Sequence, residues 1–140
     1  KAFHATSHHA NNPDTIYDYN QITIYRISAM RYLLEKLRDT TEAGVPLLDK
    51  TAIIWGSAMG DPNLHSTRRC PLVLMGKANG ALEGNVHINA LEGTPMANAF
   101  VSLLRGIGHD DLQLFGDSTG PLPLFAGHTG RPAVTISRTG

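Results

Sequence analysis

Two short apolar runs limit the folds open to this chain. The first occupies residues 51–55 and ends at Gly56, and the second occupies residues 71–76. Runs of this length next to turn residues are typical of strands buried in a sheet. A segment with helical periodicity, residues 20–41, precedes both runs. Helix, strand, loop and strand in this order predict an α/β fold with a mainly parallel sheet flanked by helices.

Two amphipathic helices are predicted. The first has apolar residues at three- and four-residue spacing and stops before Gly44; its apolar face comprises Ile22, Tyr25, Ala29, Leu33 and Leu37. The second begins at Thr94-Pro95, a helix cap followed by proline, and its apolar face comprises Met96, Phe100, Val101, Leu104 and Ile107. Residues 1–19 are expected to form a loop, and residues 79–89 a hairpin or lid.

Size and composition bound the class of protein. A chain of 140 residues with 41% hydrophobic and 17% charged residues is typical of one globular domain. We therefore predict a single α/β domain at residues 1–124 and an extended or poorly ordered tail at 125–140. The twelve basic and twelve acidic residues balance, so no nucleic-acid partner is expected. No apolar run is long enough for a transmembrane segment.

A histidine cluster near the start is the first candidate site. His4, His8 and His9 fall within six residues, beside the hydroxyl of Ser7. Imidazole is a common ligand for zinc, copper and iron. His4 and His8 share a face whether the segment is extended or forms a helical turn. The alternative interpretation is a solvated histidine-rich loop.

The loop after the first apolar run is the second candidate site. In open α/β sheets, sites gather beyond the carboxyl ends of strands. Asp61 and His65 offer an oxygen and a nitrogen ligand, and Ser57 and Asn63 are candidates to support the ligands or bind an anion. The alternative is a glycine-rich turn. The two clusters together predict one metal or anion site, although no catalytic nucleophile is identifiable.

The residues of both clusters also carry a family resemblance. His4-Ala5-Thr6-Ser7-His8-His9 resembles the HXXSHH signature of a family of exported bacterial proteins of unknown function. The similarity continues at three later segments, 33–37, 47–51 and 56–61 with His65, and ends with Phe115-Gly116-Asp117-Ser118-Thr119-Gly120. It covers roughly residues 1–124 and corresponds to the C-terminal portion of the family's longer members.

The resemblance implies a distant similarity to the alkaline phosphatase and sulfatase superfamily. It implies an alkaline phosphatase-like fold, a periplasmic or extracellular location, and metal ligands on loops that follow strands. Two departures matter. Ala58-Met59 replaces an Asp-His metal pair usual in the superfamily, and the superfamily nucleophile lies upstream of the residues that match here. His65 still corresponds to a downstream histidine ligand.

Two functions follow as expectations. In the first, His4, His8, His9, Asp61 and His65 bind a divalent metal ion, zinc or calcium, and contribute to hydrolysis of phosphate or sulfate esters. Ser7, Ser57 and Asn63 would then support the ligands. In the second, the chain is a non-catalytic accessory subunit with protein partners in an exported or membrane-associated assembly. The sequence does not decide whether the protein is an enzyme.

Overall fold

The computed structural model describes residues 2–82, 84–124 and 134–138. The chain divides into two compact units, the first comprising Lys1–Leu47 and Trp55–Val73 and the second comprising Leu48–Ile54 and Leu74–Gly140. The prediction of one domain over residues 1–124 stays a prediction. None of the described helices has both the length and the apolar content needed to cross a bilayer.

The first unit begins with two helices, α1 at Phe3–Ser7 and α2 at Pro13–Asp39. Asn12 caps α2, since its side-chain oxygen accepts a hydrogen bond from the Asp14 backbone N–H at 2.8 Å. Pro13 occupies the first helical position, where a missing N–H costs nothing. The loop predicted for residues 1–19 is therefore wrong in part, because it contains α1 and the first two turns of α2.

The apolar face predicted for α2 is not a buried face. No residue of α2 is buried, and every residue from Ile24 to Ala29 is exposed. Tyr25 is 76% exposed, and Tyr17 and Tyr32 are each 64% exposed. Helical periodicity identified the helix correctly, but burial depends on tertiary contacts that periodicity does not contain.

Two strand pairs follow α2 along the chain. Strands β1 (Thr41–Glu42) and β2 (Val45–Pro46) are antiparallel, with Glu42 opposite Val45. Gly44 has a φ of +79° in the turn between them, a backbone conformation that glycine adopts without strain. A single helical turn, α3 at Leu47–Lys50, leads to β3 (Ile53–Gly56), which pairs with β4 (Leu72–Met75).

The predicted α/β, alkaline phosphatase-like fold with a mainly parallel sheet is wrong. The β3–β4 pair is antiparallel: the Ser57 N–H donates to the Pro71 carbonyl at one end, and the Ala78 N–H donates to the Thr51 carbonyl at the other. The described residues contain four helices and only short antiparallel pairs, without an extended parallel sheet. Parallel strands need a crossover, usually a helix. Residues 57–71 instead fold into a compact loop that returns the chain alongside β3.

The core of the second unit lies around α4, Ala97–Gly106. Val101 is fully buried, and Leu103 and Ala99 are also buried. The helix predicted from Thr94-Pro95 is confirmed, although it begins at Ala97. Two polar residues of α4 are buried as well and bind the segment that follows. The Asn98 side chain accepts from the Thr119 N–H at 2.8 Å, and Ser102 contacts Leu122.

The rest of the second unit contains a 3-10 turn at Ala78–Gly80, strand β5 at Val86–Ala90 and strand β6 at Val134–Arg138. β5 pairs with β6 in an antiparallel register, Val86 opposite Arg138, so it does not close the hairpin predicted within residues 79–89. The predicted tail at 125–140 lies outside the described residues except for β6.

Candidate functional site

His4 lies in the short helix α1 and His8 follows it directly. Two side-chain hydroxyls of α1 donate hydrogen bonds to its backbone carbonyls. The Ser7 hydroxyl donates to the His4 carbonyl at 2.8 Å, and the Thr6 hydroxyl donates to the Phe3 carbonyl at 2.9 Å. Both hydroxyl residues are buried. This arrangement places the rings of His4 and His8 edge to face, with their centroids 4.9 Å apart. Ser7 thus holds the backbone turn that brings the two imidazoles together.

His65 lies in the loop 57–66, in a turn that hydrogen bonds to Asp61 hold in place. Asp61 Oδ1 accepts hydrogen bonds from the backbone N–H groups of Asn63 at 2.9 Å and Leu64 at 3.2 Å. The Ser66 N–H donates to the Asp61 carbonyl at 2.9 Å and closes the turn. His65 has a φ of +51° inside this turn. The predicted ligand Asp61 therefore uses one carboxylate oxygen to shape the loop that carries His65.

A single asparagine joins the two histidine segments. The Ala10 backbone N–H donates to Asn63 Oδ1 at 2.8 Å, across a sequence separation of 53 residues. The rings of His8 and His65 then lie edge to face with their centroids 4.7 Å apart. The structure thus brings together His4, His8 and His65, all within the first unit.

His9 and Ser57 have other contacts. His9 Nδ1 accepts a hydrogen bond from the Asn11 N–H at 3.1 Å, and its ring lies 6.4 Å from that of Tyr19. The Ser57 hydroxyl accepts from the Met59 N–H at 3.1 Å. His9 was predicted as a metal ligand and Ser57 as a supporting or anion-binding residue, and each accepts a hydrogen bond from nearby backbone.

Three residues near the histidines were not identified from the sequence. The guanidinium carbon of Arg26 lies 3.7 Å from the centroid of the Phe3 ring, a cation–π contact. The Phe3 and Tyr19 rings lie 5.5 Å apart. These contacts hold α1 against α2. The available signal was the spacing of Tyr19 and Arg26, seven residues apart and hence on one face of a helix.

The histidine rings are accessible. His4 and His65 are exposed, and His8 is half-buried between them. In the part of the chain that the structure describes, no group of three histidine, cysteine, aspartate or glutamate side chains is arranged to hold a metal ion. His4, His8 and His65 thus lie close to one another, but among the described residues they do not form a metal-holding group.

Comparison of the chain with models of protein families, with curated proteins and with solved structures gave no match.

Proposed function

We propose that His4, His8 and His65 bind a divalent metal ion and that the chain contributes this site to an exported alkaline phosphatase- or sulfatase-like protein. The observation that supports the proposal is the packing of the His8 ring against both His4 and His65. Those residues come from two segments far apart in the sequence. Imidazole is a common ligand for zinc and other transition metals, so imidazoles from distant segments that meet at an accessible surface are candidates for a metal site.

The ring spacing is compatible with zinc once the rings reorient, although the described side chains as they stand form no metal-holding group. In a tetrahedral site with Zn–N bonds of about 2.0–2.1 Å, two imidazole centroids lie roughly 5 Å apart. The observed centroid spacings are 4.9 Å for His4–His8 and 4.7 Å for His8–His65. Binding requires the rings to rotate so that their nitrogens face one point. Off-rotamer side chains cost about 0.5–1.5 kcal/mol each, whereas structural zinc binding releases on the order of 10 kcal/mol.

Zinc fits the donor set better than calcium. Calcium takes six to eight oxygen ligands, but Asp61 Oδ1 already accepts two backbone hydrogen bonds. Nitrogen ligands from three histidines leave a fourth zinc position for water or a substrate oxygen. A metal held by these three histidines would supply a Lewis acid for phosphate or sulfate ester hydrolysis. The nucleophile would come from outside the residues described here.

Zinc titration by calorimetry tests the site. Because His8 contacts both other rings, His8→Ala should lower zinc affinity on the order of 100-fold or more. His109→Ala is the matched control, since His109 is an exposed histidine in the second unit. Equal zinc affinity in His8→Ala and in the unaltered protein would contradict the metal site. Turnover of aryl phosphate and aryl sulfate esters with zinc present tests hydrolysis separately.

The second candidate function is that of a non-catalytic accessory subunit in an exported or membrane-associated assembly. The exposed aromatic surface of α2 favours it, since Tyr17, Tyr25 and Tyr32 are each at least 64% exposed. Exposed aromatic residues are enriched in protein–protein interfaces. Native mass spectrometry of the protein from its source distinguishes the two functions. A monomer with hydrolytic turnover would contradict the accessory role.

A further inference from the structure

We propose that Asn63 is a positioning residue that sets the zinc affinity of the histidine cluster without binding the metal. This inference rests on the proposed metal site. Its basis is the hydrogen bond from the Ala10 N–H to Asn63 Oδ1, 2.8 Å long, which joins the two histidine segments directly. Asn63 acts on the site by fixing where His65 lies relative to His8.

The position of this hydrogen bond explains why it can affect the relative position of His8 and His65. Ala10 follows His8 by two residues, and Asn63 precedes His65 by two residues. The bond therefore lies next to the 4.7 Å contact between the two rings. A change of about 1 Å in the separation of the segments is large compared with the tolerance of a zinc–nitrogen bond, which is on the order of 0.2 Å.

Asn63 is itself held in place on its own loop. Its backbone N–H donates to Asp61 Oδ1 at 2.9 Å, and the Ser66 N–H closes the same turn on the Asp61 carbonyl. The side-chain oxygen of Asn63 thus projects from a bonded turn toward Ala10. Ala10 has a φ of +47°, in the reversal between α1 and α2. Backbone hydrogen bonds close both turns, from the Asn12 N–H to the His9 carbonyl and from the Ser66 N–H to the Asp61 carbonyl, so the bond between Ala10 and Asn63 sets the spacing of the two turns.

The chain contains a matched control for this role. Asn12 Oδ1 also accepts one backbone hydrogen bond of 2.8 Å, from the Asp14 N–H two residues away. Both asparagines lie in the first unit. Asn12→Ala removes a local helix cap, whereas Asn63→Ala removes the bond between the histidine segments. A general loss of stability would affect both variants, but only the second should change the geometry of the cluster.

The experiment measures zinc affinity by calorimetry and the proximity of the His8 and His65 rings in the zinc-free protein by NMR. Asn63→Ala should weaken zinc binding by about 10- to 100-fold and abolish the nuclear Overhauser effect between the two rings. Asn63→Asp keeps an acceptor oxygen for the Ala10 N–H, and Asn12→Ala leaves Asn63 unchanged. The zinc affinity of both variants should therefore stay within about threefold of that of the unaltered protein.

Two results would overturn the role proposed for Asn63. Unaltered zinc affinity and an unaltered ring contact in Asn63→Ala would overturn it. So would equal losses of affinity in Asn63→Ala and Asn12→Ala, since the effect would then be one of stability. If the unaltered protein binds no zinc, the proposed metal site fails, and the ring contact alone decides the positioning role: its loss in Asn63→Ala supports the role and its survival refutes it.

Discussion

Gly60 lies in the loop that carries His65, at a position where a side chain has no room. A Cβ atom built at this residue would overlap the Arg68 carbonyl oxygen and lie 2.9 Å from the Arg69 carbonyl oxygen. Both neighbours are backbone atoms, which cannot rotate away as a side chain does. The close approach of the two chain segments thus depends on glycine.

We predict that Gly60→Ala lowers the free energy of unfolding by about 1–3 kcal/mol, because the loop must open to admit the methyl group. Denaturant unfolding measures this change. Gly84→Ala is the control, because a Cβ at Gly84 would meet no atom within 4 Å. Equal stability of the two variants would contradict the account of the loop.

An exposed ion pair gives a prediction about pH. The hydrogen bond from Arg38 lowers the pKa of the Asp39 carboxyl, and the Arg38 Nε lies 2.8 Å from Asp39 Oδ1. A carboxyl whose pKa is lower in the folded state contributes stability above its unfolded pKa and loses it as pH falls through the folded pKa. We expect Arg38→Gln to raise the pKa of Asp39, as measured by carboxyl NMR titration. An unchanged pKa would show that the pair does not form in solution.

The stability effect of that pair should be small, since both side chains are more than 60% exposed and solvent screens exposed pairs.

A comparison of α2 and α4 shows what apolar periodicity predicts about a helix and what it does not. Both contain apolar residues at helical spacing, and both are helices in the structure. Only α4 has a buried side, which includes Val101 and Leu103. Periodicity determines which residues share a face, but the neighbours that cover a face come from distant parts of the chain.

This difference predicts unequal costs of substitution. Leu103→Ala should destabilise the protein by about 2–5 kcal/mol, because it leaves a cavity beside α4. Tyr25→Ala on α2 should change stability by about 0.5 kcal/mol or less, as at other exposed positions. Thermal or denaturant unfolding of both variants checks the comparison. A large loss in Tyr25→Ala would show that the exposed side of α2 is covered in solution.

Strand direction could not be predicted from the apolar runs alone. The runs at residues 51–55 and 71–76 contain the strands β3 and β4, so the existence of the strands was predicted correctly. Their relative direction depends on the connection between them. Backbone hydrogen bonds within the loop 57–66 reverse the direction of the chain. The residue pattern of the loop does not predict these bonds.

Over the whole molecule, the sequence predicted which histidines to consider and the structure determined which of them meet. The sequence placed His4 and His8 on one face, and the edge-to-face contact of their rings agrees with that prediction. The proximity of His65 was also predicted, but from the strand-end rule for a parallel sheet that the chain does not form. The bond between Ala10 and Asn63 produces that proximity instead, and no local pattern reveals it.

The coordination of zinc in the zinc-loaded protein tests the metal site most directly, and X-ray absorption at the zinc edge measures it. The proposed site predicts three nitrogen ligands at about 2.0–2.1 Å, with one nitrogen lost in each of His4→Ala, His8→Ala and His65→Ala. If the protein does not retain zinc after loading, the proposed metal site is contradicted. A spectrum that stays unchanged in all three variants would also contradict it, as would one that shows a cysteine sulfur ligand at about 2.3 Å, which would place zinc on Cys70, the one cysteine of the sequence.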